Sequence, residues 1–375
     1  MKKIISVLVL LAVNGYSDDN LKNFLMDKGL INKKEYEEYV KDKNKNGTEI
    51  NGILTLRYYY LDNKTYSVSR ERFLFQIKTE FLKKLNDNLT VNFGFATGDK
   101  SKPRSNYEIM GEGFSNKNLN LSLANATFQE KNFKLVAGKF KNNLWQSNSA
   151  LIDSDINFEG AGFEFGNKNF NFVFDNLFLW EFASSKKDPR VYSFQISNAN
   201  KYFKFALTYY DFVYVKGVST STFSSRPSSP YPLSNSVSNS KYKFDYDIIS
   251  YDIKSELKLT KNILFSAFAN YGLNSSVGEK NKFYIYGTDI FFTDKEYKKA
   301  SIGFNYRKLE NDSFLDIFPD VATYGGATGT ESYRFVGCYN LNRNISVVPY
   351  YIYSKPLDKN YKKEDAIIVD INVKF

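Results

Sequence analysis

The chain has 375 residues, a formal net charge of +10, a single cysteine and no histidine. One thiol forms no internal disulfide, and the missing imidazole excludes Ser-His-Asp and Cys-His nucleophiles, His general bases and His-ligated zinc. The 34 Phe and 29 Tyr exclude a disordered tail, yet the mean hydropathy is −0.44, so the apolar residues must be interleaved with polar ones.

Residues 1–17 (MKKIISVLVLLAVNGYS) carry Lys2 and Lys3, an apolar core from Ile4 to Val13, and the small residues Gly15 and Ser17 before Asp18. This is the pattern of a secretory signal peptide, and its apolar run is too short to cross about 30 Å of hydrocarbon as a helix. Residues 18–50 are the only stretch of helical character. Asp19 can cap a short helix carrying Leu21, Phe24 and Leu25 that ends at Gly29, and Asn32 with Glu35 is a capping-box pattern for a second. A polar linker follows, and the segment is expected to be a small periplasmic helix pair.

From 51 to 375 the periodicity changes to two, the signature of strands. Between 69 and 82, Phe73, Phe75, Ile77 and Phe81 fall on one face and Arg70, Arg72, Gln76, Lys78 and Glu80 on the other. Residues 247–259, 202–210 and 366–375 alternate in the same way. A soluble sandwich also alternates, but its strands average five or six residues, and these run to about ten or more, as a tilted membrane strand requires. Sixteen strands are expected, at 52–61, 70–84, 89–97, 119–129, 133–140, 157–165, 170–181, 191–197, 202–213, 242–259, 263–271, 282–292, 297–309, 332–340, 345–355 and 366–375. Fourteen or eighteen remain open, because the faces are ambiguous at 119–129, 133–140 and 345–355.

Alternate connections are short turns rich in Asn, Asp, Lys and Gly, whereas 98–118, 141–156, 214–241 and 310–331 each exceed a dozen residues. Short periplasmic turns alternating with long external loops fit an all-β fold, a transmembrane antiparallel β-barrel of the outer membrane. Tyr58–Tyr60, Trp180, Tyr209, Tyr210, Tyr271 and Tyr350, Tyr351, Tyr353 end rising strands and are read as an outer aromatic girdle.

Four stretches carry a family likeness: LINKKE at 30–35, FATGDKSKPRS at 95–105, AGKFKNNLW at 137–145 with DSDINFEGAGFEF at 153–165, and FNYRKLENDSFLDIFPD at 304–320 before a Gly-rich loop. In this order they resemble the putative porins of Gram-negative bacteria, a family distantly similar to phosphate-selective porins. The resemblance covers nearly the whole mature chain. It implies passive diffusion of small hydrophilic solutes and ions through a water-filled channel in the cell outer membrane, and a homotrimer. A lysine-rich constriction motif is missing, so phosphate specificity is not carried over. In sixteen-stranded porins of general type the third external loop narrows the lumen. Here that loop, 141–156, carries Lys141, Trp145, Asp153 and Asp155.

The expected inward faces hold Arg57, Arg70, Arg72, Lys78, Lys204, Lys254, Arg307, Arg334 and Lys374 against Glu80, Asp252, Glu256 and Asp370. Loop acids facing this basic wall would set a field across the constriction, and the basic excess favours anions weakly. Asp153, Asp155 and Glu159 offer carboxylates to Ca²⁺, but their spacing fits a loop cap better. The Ser-rich stretch 219–240 reads as a flexible external loop, and Cys338 as a packed thiol.

No pattern asks for a cofactor, and no motif marks the facing carboxylates of a His-free hydrolase, so an enzyme is not expected. The basic residues are spread along strands rather than clustered, which argues against nucleic acid. The alternative to a pore is a non-conducting adhesin or structural barrel with exposed loops. The expected partners are outer-membrane lipid and lipopolysaccharide, and the barrel-assembly machinery through the terminal Phe375.

Overall fold

The computed structural model describes residues 47–65, 67–183, 187–223, 234–294 and 297–375. The expected signal peptide and nearly all of the expected helix pair lie outside these residues, as does the centre of the Ser-rich loop. Among the described residues the only helix is a single 3-10 turn at Tyr324–Gly326.

Sixteen long strands make the wall: β1 (Thr48–Asn63), β2 (Val68–Lys84), β3 (Leu89–Thr97), β4 (Leu119–Glu130), β5 (Phe133–Lys141), β6 (Asn157–Gly166), β7 (Phe170–Phe178), β8 (Arg190–Ala199), β9 (Phe203–Val213), β10 (Tyr246–Lys258), β11 (Ile263–Asn274), β12 (Lys282–Asp294), β13 (Tyr297–Leu309), β14 (Thr330–Asn340), β15 (Ile345–Pro356) and β16 (Glu364–Lys374). Each pairs antiparallel with its sequence neighbours, and β1 also pairs with β16 from Ile53↔Lys374 to Asn63↔Glu364, which closes the barrel. The expected strand number and order are those found. The first strand begins at Thr48, inside the segment read as linker, because residues 48–51 pair with the foot of β2.

The short turns share one device. Asn86, Asn167, Asn200 and Asn342 each accept, through Oδ1, the backbone N–H groups two and three residues ahead at 2.8–3.1 Å. An Asx turn of this kind reverses the chain without a partner from elsewhere. The closing seam is equally local: Gly52 and Phe375 exchange backbone hydrogen bonds of 2.7 and 3.0 Å, and the Phe375 ring lies where a Cβ on Gly52 would sit.

The ambiguous faces have physical causes. Opposite Gly94 and Phe95 the register shifts, leaving Ser122 as a bulge, so β4 turns Leu119 and Leu121 outward and then Ala124, Ala126 and Phe128. In β5 and β6, Gly138 (φ 114°) and Gly160 (φ 151°) are cross-strand partners in a backbone conformation that L side chains rarely adopt. In β15, Pro349 offers no N–H and interrupts the ladder to β14 without changing its register.

The core lies inside the barrel, in its external half. Phe314, Leu315, Ile317 and Phe318 from the 310–329 connection are buried against Tyr210 and Phe212 of β9, Tyr246 and Ile248 of β10, and Phe283 and Ile285 of β12. This corrects the expectation of a polar inward face throughout. Many inward residues are apolar where the loops cover them, although Arg307 is buried there as well. It also corrects the girdle, since Tyr210 is buried in this core and Tyr59 and Tyr350 turn inward beneath Arg72 and Arg334.

Candidate pore constriction

The connection after β5 enters the lumen as a strap anchored at several points around the wall. Trp145 donates its N–H to Gln195 Oε1 of β8 and accepts from Gln195 Nε2, both at 2.9 Å. Ser147 donates from N and Oγ to Asp252 of β10 at 3.0 and 2.6 Å. Arg307 of β13 donates to the Ala150 carbonyl at 3.4 Å, and Asp153 N–H to that of Phe318 at 2.8 Å. The strap then returns to β2, where Lys78 bonds Asp155. Paired polar groups at each anchor make the inward position a property of the sequence rather than of loop length.

The expected site residues fall into three groups. Lys78, Glu80, Lys141 and Asp155 meet at the strap's return, where Lys78 pairs with Asp155 and Lys141 with Glu80. They line a cavity of about 650 Å³, together with Asn106, Asn157 and Lys374. Lys374 has no ion-pair partner among the described residues.

A second group is inward but engaged. Arg57 forms a two-pronged bond with Asp370 (2.6 and 2.7 Å) and lies 3.9 Å over the Tyr107 ring. Arg334 meets Asp320 at 3.0 Å, Lys204 covers the Trp145 ring at 4.7 Å, and Lys254 meets Glu256 at 3.2 Å. Arg72 lies 5.0 Å from the Tyr59 ring, and Arg70 stands exposed at the external end of β2.

The third group is buried and lines no water path. Arg307 is 1% exposed under the strap and donates to Thr323 O at 3.0 Å; Asp252 holds Ser147; Asp153 is covered by the 310–329 loop. The strap acids therefore do not face the basic wall across a gap. Asp155 bonds that wall directly, and Asp153 sits in the packed loops.

Asp153 is the loop cap its spacing suggested, accepting from Asp155 N–H at 2.9 Å and Val321 N–H at 3.2 Å. Burial, then the Asp320 and Asp155 carboxylates, push its carboxyl up to about 8. The Ca²⁺ alternative fails on geometry: Asp155 pairs with Lys78, while Glu159 turns to the outer surface and pairs with Lys139 at 2.5 Å.

Sequence reading missed Arg104, which reaches across the lumen to donate to Pro319 O at 2.7 Å and Gly326 O at 3.3 Å. Burial lowers its pKa from the ordinary guanidinium value. It belongs to the FATGDKSKPRS stretch, so the signal existed as a motif without a mechanism.

These features have counterparts in known proteins. The fold matches Pseudomonas putida OprB at high pH (TM-score 0.60, 12% identity, 90% of this chain and 96% of that one). It also matches Salmonella typhi OmpF in complex with daunomycin (0.55, 12%, 89% and 99%) and an anion-selective porin from Comamonas acidovorans (0.55, 10%, 88% and 100%). No curated protein is significantly similar to it in sequence. A family model described as "Putative porin" matches residues 13–279, and the chain belongs to that family of outer-membrane porin channels.

Proposed function

We propose that the barrel lets small hydrophilic solutes and ions diffuse passively across the outer membrane, with a weak preference for anions, no enzymatic activity and no cofactor. The cavity of about 650 Å³ beside the strap carries the proposal. Its charges are two ion pairs plus Lys374, so a permeating solute meets a polar, nearly balanced wall with one extra positive group. Rings of basic residues favour anions, and a single uncompensated lysine makes the bias small. The working unit is read as a homotrimer embedded in lipid and lipopolysaccharide, delivered by the assembly machinery through Phe375.

Zero-current potentials of the purified protein across a salt gradient in planar bilayers test this. A small anion-selective potential is expected, and a clearly cation-selective sign overturns the preference.

The second reading, a non-conducting adhesin or structural barrel, is favoured by the apolar loop core that fills the external half of the lumen. Bilayers that show no discrete conductance steps support that reading and reject the pore.

A further inference from the structure

The seven short connections at the periplasmic end each hold an exposed basic residue or have one within two residues: Lys84, Lys131, Lys168, Lys201, Lys261, Lys298 and Arg343. These connections follow one another around the closed wall, so the residues form a ring. In four of the turns, at 167–169, 200–202, 259–262 and 341–344, no acid accompanies the basic residue. None of the six lysines of the ring has an ion-pair partner among the described residues. Several lysines at the external end are neutralised instead: Lys64 meets Asp62, Lys102 meets Asp99, Lys117 meets Glu112, Lys355 meets Glu331 and Lys363 meets Asp365. Asn side chains reverse the chain at the periplasmic end, so the fold makes no use of the cations beside them.

On the membrane side of this ring lies an apolar belt. Leu85, Phe165, Phe203, Leu259, Phe292 and Leu341 each stand in or beside one of the turns, and all are exposed. From β4 to β7 the belt is continuous, with ring contacts running from Phe128 to Phe133, Phe163 and Phe172 at 6.2, 5.3 and 6.3 Å. Lys299 shows how the two layers join: its ammonium lies 4.9 Å over the ring of Tyr339, which is 48% exposed. A lysine lays its stem along apolar surface in this way while its charge reaches the interface.

A basic ring directly beside an apolar belt fits one kind of partner. The belt takes acyl chains, and the ring meets the headgroups to which those chains are joined. An ammonium group is drawn to a headgroup of net negative charge, and the attraction falls off within a Debye length. Cations spread over seven separate turns suit many small anions better than one polyanion. A polymer lying free in the periplasm would touch the ring alone and would leave its continuity with the belt without a purpose.

We propose that the periplasmic rim of the barrel is a docking surface for anionic phospholipids, whose phosphates are held by the ring at Lys168, Lys201 and Lys261 and whose acyl chains lie on the belt beside it. The surface lies at the opposite end from lipopolysaccharide, and it gives the lipid partner a leaflet and a charge. It does not depend on conductance and stands whether or not the barrel passes solutes.

Native mass spectrometry of the full chain, released from vesicles of equal parts phosphatidylglycerol and phosphatidylcholine, tests it. The unmodified chain is expected to retain about three-fold more phosphatidylglycerol than phosphatidylcholine in about 0.1 M ammonium acetate, and to lose that excess at about 0.5 M. Lys168→Gln, Lys201→Gln and Lys261→Gln together are expected to reduce the excess by about half or more. Lys102→Gln, Lys117→Gln and Lys355→Gln at the external end are expected to leave it unchanged. The salt comparison uses the unmodified chain, so it decides even where the triple variant does not fold. Equal retention of the two lipids by the unmodified chain, or an excess that survives either the higher salt or the triple substitution, overturns the proposal. Cosedimentation with purified peptidoglycan that is lost in the triple variant while the lipid excess persists assigns the ring to the cell wall and overturns it too.

Discussion

On the proposed reading, two side chains set the charge of the passage. Lys374 is the cationic group there without an ion-pair partner among the described residues, and Asp155 is the acid that offsets Lys78. Lys374→Gln is expected to move the zero-current potential toward cations, and Asp155→Asn to move it toward anions. Salt is expected to weaken both effects, because exposed charges are screened within about 10 Å at 0.1 M. Asp153 contributes a pH dependence. Its carboxyl is raised from 3.8 to about 8, so the folded chain holds a proton there that the unfolded chain releases. Stability therefore falls as pH rises from about 4 to 8, and above 8 a charge is forced beside Asp320 and Asp155. Arg104 and Arg307 approach the same cluster and moderate that charge. Thermal unfolding and channel noise at pH 6 and pH 9 should show a looser strap at the higher pH, and Asp153→Asn should flatten the difference. These roles were only half legible in sequence. Parity placed Lys78 and Glu80 inward, but whether an acid faces a base or bonds it depends on where the strap returns, and no local pattern encodes that.

At the scale of elements, the strap and the 310–329 plug are one packed unit. Phe314 is fully buried, with edge contacts to Tyr210, Phe212 and Phe283 at 5.4–6.1 Å. Phe314→Ala should cost about 3–5 kcal/mol if the cavity stays open, and should raise single-channel conductance by freeing the plug from the wall. Circular dichroism melts and bilayer recordings of the same preparation check both. A melt shift without any conductance change would mean that the plug stands clear of the permeation path. The strands were legible because alternation is local and long, and the turns because Asn86, Asn167, Asn200 and Asn342 act on their own backbone. The plug was not. FLDIF is too short to establish a period, and its burial arises from contacts with distant strands, such as those of Phe314 with Phe283 and Tyr210. The bulge at Ser122 and the Gly138–Gly160 pair were equally hidden, since a bulge is a relation between two strands.

For the whole molecule, stability depends on closure. Every wall strand has two neighbours only because β1 meets β16, so the wall has no open strand edge, as a membrane demands. Gly52→Val places a side chain where the Phe375 ring lies and should lower the melting temperature while leaving β10–β15 chemically unchanged. Protease resistance of the reconstituted variant measures this, and resistance equal to that of the unmodified chain would show that the seam tolerates displacement of Phe375. The seam also carries a topological consequence. Its second half is β16, paired with β1 from Ile53↔Lys374 to Asn63↔Glu364, so a product lacking β16 is not a narrower channel. It is an open ribbon with two unsatisfied edges. Such edges are adhesive, so the sixteenth strand is what turns a sheet prone to pairing with its neighbours into a pore.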